Sequence, residues 1–132
     1  MLFHPAVPVL IVDDEDLTAE LVATYLSSIG FSDVDHAADG LDAWTMMRHR
    51  PYGLVISDYS MKPMNGLMFL QAVRADEALR SVRFMLITAS RDPAIAQQAE
   101  ALGAEAFLYK PFPLQALRDA LERIATLEAR AA

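Results

Sequence analysis

The chain has 132 residues, no cysteine, and 18 acidic against 11 basic side chains, for a formal charge of −7. That length suits one domain with a real core. The acidic balance speaks against nucleic acid bound through a general basic surface, and the absence of cysteine excludes disulfides and thiolate metal sites. Hydrophobic residues make up 54% of the chain, yet no apolar run is long enough to span a membrane. Met1–Pro5 lacks a basic region and a small-residue cleavage site, so no signal peptide is expected, and the cytoplasm is the expected compartment.

Val7–Val12 is a continuous apolar run that stops abruptly at Asp13-Asp14-Glu15-Asp16. Leu17, Leu21, Val22, Tyr25, Leu26 and Ile29 then recur at helical spacing up to Gly30. Val34–Ala37 is a short, weak strand. Asp39-Gly40 opens a helix carrying Leu41, Ala43, Trp44 and Met47, closed by His49, Arg50 and Pro51. Leu54-Val55-Ile56-Ser57-Asp58 reads as a buried strand ending in an acid, with the Pro63–Gly66 stretch turning the chain out of the sheet. Gly66–Arg74 is a third helix with Leu67, Leu70 and Val73 on one face.

Val82–Ser90 is a fourth strand and its exit. Asp92 is the expected N-cap of a fourth helix, with Pro93 in its first turn and Gly103 after its end. Ala106–Tyr109 is a fifth strand running into Lys110-Pro111-Phe112, and Leu114, Leu117, Leu121 and Ile124 mark the last helix. Five strands alternating with five helices predict an α/β, doubly wound parallel sheet covered on both faces. Strand order is not legible in this pattern. Met46, Met47, Met64 and Met68 are expected to fill the core, and Trp44 to be half-buried. His4, His36 and His49 are scattered and carry no assigned role.

In a parallel sheet every strand ends on the same edge, where ligands bind in open α/β folds. That edge collects Asp13 and Asp14 from strand one, Asp58 from strand three, Thr88 from strand four and Lys110 from strand five. Two carboxylates about 4 Å apart repel by roughly 4 kcal/mol at an effective dielectric near 20. The cluster must therefore hold a proton or a cation. All-oxygen donors suit Mg²⁺, and the lack of histidine or cysteine at these strand ends disfavours zinc. With its charge offset, Asp58 could attack a phosphoryl group as a nucleophile, with Lys110 and the Thr88 hydroxyl as donors to its oxygens. No GxGxxG or P-loop pattern is present, which weakens a nucleotide reading.

Val12-Asp13-Asp14-Glu15, Ser57-Asp58-Tyr59-Ser60-Met61-Lys62-Pro63-Met64-Asn65-Gly66, Leu86-Ile87-Thr88-Ala89-Ser90 and Tyr109-Lys110-Pro111-Phe112 together resemble the receiver domain of bacterial response regulators. The resemblance spans about Val7 to Ile124, so residues 1–132 are read as a single receiver domain with its core at about 7–124. It implies a flavodoxin-like, five-stranded order of 2-1-3-4-5. It also implies that Asp58 accepts a phosphoryl group from a phosphohistidine on a sensor histidine kinase or histidine phosphotransfer protein. On that pattern Asp14, Asp58 and the Ser60 carbonyl ligate Mg²⁺, and Asp13 holds a metal-bound water. Thr88 and Ala89 shift toward the phosphoryl group, and the aromatic Phe107 turns inward.

Two departures stand out. Phe107 lacks the hydroxyl of the commoner tyrosine, and Met61-Lys62-Pro63 carries its proline one place later than many relatives. The resulting expectation is a stand-alone two-component or phosphorelay switch, in chemotaxis or another pathway, and not a turnover enzyme. Its output would pass through the fourth helix, fifth strand and fifth helix to an unidentified protein target. It would be a monomer or a weak phosphorylation-dependent dimer, with neither nucleic acid nor membrane as a partner. A phosphorylation-independent pseudo-receiver and a Mg²⁺ phosphohydrolase are the rival readings. The second lacks a general acid near Asp58.

Overall fold

The computed structural model describes residues 6–131, so Met1–Pro5 and any reading placed on it, including the signal-peptide reading, lie outside the described residues. The elements run β1 (Val9–Val12), α1 (Asp16–Ile29), β2 (Val34–Ala37), α2 (Gly40–His49), β3 (Leu54–Asp58), α3 (Gly66–Ala75), β4 (Arg83–Thr88), α4 (Pro93–Ala101), β5 (Ala106–Tyr109) and α5 (Leu114–Ala131). All strand pairs are parallel, in the order β2-β1-β3-β4-β5. Alternation along each strand divides the core. Val9, Ile11, Leu54, Ile56, Met85, Ile87 and Leu108 pack under α1 and α5. Leu10, Val12, Val55, Phe84 and Leu86 pack under α2, α3 and α4. No helix among the described residues is long and apolar enough to cross a membrane.

The element ends follow local chemistry. Asp39, Asn65 and Asp92 each accept a backbone N–H at the start of α2, α3 and α4, and Pro93 opens α4 where its missing N–H costs nothing. Gly30 closes α1 at φ +120°, a conformation that a side chain would strain.

Three of the apolar residues that mark α1 and α2 face solvent. Leu17, Leu21 and Leu41 are 82%, 45% and 53% exposed. Ala19, Val22 and Leu26 are the buried residues of α1. At about 100° per residue Leu17 lies roughly half a turn, and Leu21 roughly a third of a turn, away from the centre of that face. Met68 is likewise 52% exposed rather than core-filling, whereas Met47 is buried and Met46 and Met64 pack at the core edge. Trp44 is half-buried as expected, with the Arg48 guanidinium 5.0 Å from its ring centre.

Candidate functional site at the carboxyl edge of the sheet

Asp58 is the last residue of β3 and lies opposite Ile87 of β4, which holds it only 3% exposed. The strand exit is tightly tied: Tyr59 N–H donates to Ile87 O at 2.8 Å, and Gly66 N–H donates to Tyr59 O at 2.8 Å. The loop folds so closely that a Cβ on Gly66 would sit 2.4 Å from the Asp58 carbonyl oxygen. Glycine is required here by that approach rather than by its dihedral angles.

One residue past β1, Asp13 is also 3% exposed. Its N–H donates to Ala37 O at 3.1 Å, and its Oδ1 accepts from Glu15 N–H at 2.9 Å. Asp14 follows, exposed to solvent. From the end of β5, anchored by Lys110 N–H to Thr88 O at 2.8 Å, the lysine reaches across the edge. Its Nζ lies 3.0 Å from Asp58 Oδ1, 3.4 Å from Asp13 Oδ2 and 3.9 Å from Glu15 Oε1.

Asp13, Asp14, Glu15 and Asp58 each offer a carboxylate oxygen, all within 4.8 Å of one another. Asp58 Oδ2 is buried and has no hydrogen-bond partner among the described residues. A buried, unsatisfied carboxylate oxygen is costly unless something charged or hydrogen-bonding comes to meet it. Burial raises the Asp58 pKa, Lys110 opposes the rise, and Asp13 and Asp14 add to it. Burial by itself would lower the Lys110 pKa, but the hydrogen bond to Asp58 and the charges of Asp58 and Asp13 carry it above its ordinary value. The asymmetry has a simple origin: the ammonium faces three carboxylates, whereas Asp58 faces one ammonium and two further acids. Oxygen-only donors around an orphaned buried oxygen fit a hard divalent cation such as Mg²⁺.

The other expected residues lie at or beyond the ends of β3 and β4 and on β5. Thr88 is 2% exposed and its hydroxyl oxygen accepts from Ser90 N–H at 3.0 Å, so the side chain braces its own loop. Ser60 and Ala89 are exposed at the rim. Phe107 is half-buried on the α4 side of β5, its ring edge-on to Tyr109 at 5.0 Å, and Arg91 stacks on Tyr109 at 4.5 Å. Two residues escaped sequence reasoning. Glu15 was visible only as part of an acidic run, and His36, whose Nε2 lies 2.8 Å from Asp13 O, carried no signal at all.

Residues 9–122 match the family described as the response regulator receiver domain. The probable chemotaxis protein CheY of Rhizobium etli is 38% identical over 118 residues, 89% of this chain and 92% of its own length. Chemotaxis protein CheY-3 of Vibrio cholerae is 32% identical over 88% of this chain and 89% of its own. Among solved structures, the Vibrio cholerae chemotaxis protein CheY4 superposes with a TM-score of 0.81 at 31% identity, covering 89% of this chain and 98% of that one. The CheY-like, flavodoxin-like strand order and the acidic cluster at the ends of β1 and β3 agree with this kinship. The chain belongs to the response regulator receiver domain family, the signalling proteins of two-component systems.

Proposed function

We propose that this protein is a phospho-accepting switch in which Asp58 takes a phosphoryl group from a phosphohistidine of a sensor histidine kinase or phosphotransfer protein. The observation that carries the reading is the state of Asp58: one oxygen is held by Lys110 at 3.0 Å and the other is buried without a partner among the described residues. An Asp58 carboxylate oxygen attacks phosphorus, the new P–O bond forms as the P–N bond breaks, and the imidazole leaves with the electron pair. Lys110 offsets the charge of the phosphoryl oxygens, and the Thr88 hydroxyl donates a hydrogen bond to them once Thr88 and Ala89 have moved toward the group with the β4–α4 loop. Asp14, Asp58 and the Ser60 carbonyl would hold Mg²⁺, and Asp13 would hold a metal-bound water. When bound, the ion supplies positive charge that offsets the acids and the incoming phosphoryl group.

The protein thus catalyses its own modification and its reversal without being a turnover enzyme. The unit that acts is the core at about residues 7–124, in the cytoplasm, as a monomer or a weak phosphorylation-dependent dimer. Its output face is α4-β5-α5, because Thr88 begins the loop leading to α4 and Phe107 lies between β5 and α4. Relatives of similar length are chemotaxis proteins, which supports chemotaxis as the setting.

The test is incubation with acetyl phosphate and Mg²⁺ followed by intact mass measurement. Wild type should gain one phosphoryl group and Asp58→Asn none. An adduct that survives the substitution would assign the acceptor elsewhere.

A further inference from the structure

β1 ends at Val12, yet both main-chain groups of the next residue are still held from β2. Asp13 N–H donates to Ala37 O at 3.1 Å, which any residue at position 37 could accept. The Asp13 carbonyl is different, because its partner is a side chain: His36 Nε2 lies 2.8 Å from it. A carbonyl oxygen can only accept, so Nε2 carries the hydrogen and donates. The Asp13 carbonyl shares one rigid peptide plane with the Asp14 N–H. Holding the oxygen therefore sets the direction in which the chain, and the Asp14 side chain, leaves the sheet.

That matters because the Asp14 carboxylate has nothing else to hold it. It is exposed and makes no hydrogen bond or ion pair among the described residues, whereas Asp13 is fixed by Glu15 N–H and faces Lys110. We propose that His36 is a positioning residue for the cation site: by donating to the Asp13 carbonyl it fixes the Asp13–Asp14 peptide plane and so presents the Asp14 carboxylate to Mg²⁺. The inference rests on the cation reading given above. It needs a donor at position 36, not a charge, and neutral histidine suffices.

The test is a Mg²⁺ titration of the unphosphorylated protein at about pH 8, above the ordinary histidine range, followed by backbone amide NMR shifts. The spectra report folding and affinity together. His36→Phe keeps the ring size and removes the donor, and it should weaken Mg²⁺ by about fivefold, the worth of one ordinary hydrogen bond. His36→Gln places an amide N–H at nearly the same reach and should restore the affinity to within about twofold of wild type. His36→Met serves as a second donor-free variant should the phenylalanine protein not fold. Wild-type affinity in a folded donor-free variant would overturn the proposal, as would a glutamine variant as weak as phenylalanine. If wild type itself bound no Mg²⁺, the cation reading would fall and this inference with it.

Discussion

Lys110 and Asp58 face each other at 3.0 Å across the carboxyl edge of the sheet, and the lysine is the cation that meets the buried carboxylate. Its position at the end of β5 ties the acceptor to the proposed output face. Lys110→Ala should still form the acyl phosphate with acetyl phosphate and Mg²⁺, more slowly, because the nucleophile remains. The variant should fail to transmit it. Amide hydrogen exchange in α4 and β5, which should change on phosphorylation of wild type, should stay at the resting pattern. An unaltered response in Lys110→Ala would remove the lysine from propagation.

Gly66 controls the same acceptor from the other side. A methyl group there meets the Asp58 carbonyl at 2.4 Å and Leu86 Cδ1 at 2.7 Å, and the first of these is main chain that cannot swing aside. Gly66→Ala should therefore cost about 1–3 kcal/mol in a urea melt, the usual range for overpacking. Because relief requires moving the Asp58 main chain, phosphorylation should slow as well. Unchanged stability together with wild-type phosphorylation would mean that the loop yields freely and does not locate Asp58.

How much of this was legible beforehand depended on whether the cause was local. The strands were readable because apolar runs such as Leu54–Ile56 are buried on both faces, and alternation then assigns each side chain to one helix layer. Asp13, Asp58 and Lys110 converge because parallel strands end on one edge, which follows from the βα alternation. Helix faces were less legible: Leu17 and Leu21 obey helical spacing as well as Val22 and Leu26, and only packing decides which stripe turns inward. Thr88 does end β4 at that edge, but the bond its hydroxyl oxygen accepts from Ser90 N–H depends on the local loop geometry and was not legible; that bond leaves the O–H free to donate. His36 was invisible because its bond to Asp13 depends on the register of β2 against β1, in which His36 pairs with Ile11.

Asp14 offers a way to separate the metal from the fold. Its carboxylate is exposed and is the smallest of the named influences on Asp58, so solvent screening leaves it little effect on the resting protein. Asp14→Asn should thus match wild type in a urea melt with chelator, within about half a kcal/mol. With millimolar Mg²⁺ the two should part, since binding to the folded state alone raises stability and the variant has lost a ligand. Equal responses to Mg²⁺ would show that Asp14 does not hold the ion.

The last prediction concerns the buried charge itself. Burial raises the folded-state pKa of Asp58 above its unfolded value, with Asp13 and Asp14 adding and Lys110 opposing. A carboxyl group shifted upward contributes stability that is fully present below the unfolded pKa, near pH 4, and is lost as pH climbs through the folded value. Lys110 stays charged throughout that window, so its attraction is already contained in the Asp58 shift and is not counted again. The amide of the Asp58→Asn variant cannot ionise and escapes the loss. In chelator, Asp58→Asn should therefore gain on wild type as pH rises from about 4 to about 7. The advantage should reach the order of 1 kcal/mol at neutral pH, a typical size for a point change. Mg²⁺ should narrow it by stabilising wild type alone. Urea melts across that range, with and without chelator, make the comparison. If Asp58→Asn instead lost ground on wild type as pH rose from about 4 to about 7 in chelator, the ion pair with Lys110 would outweigh the burial of Asp58, and the direction argued here would be reversed.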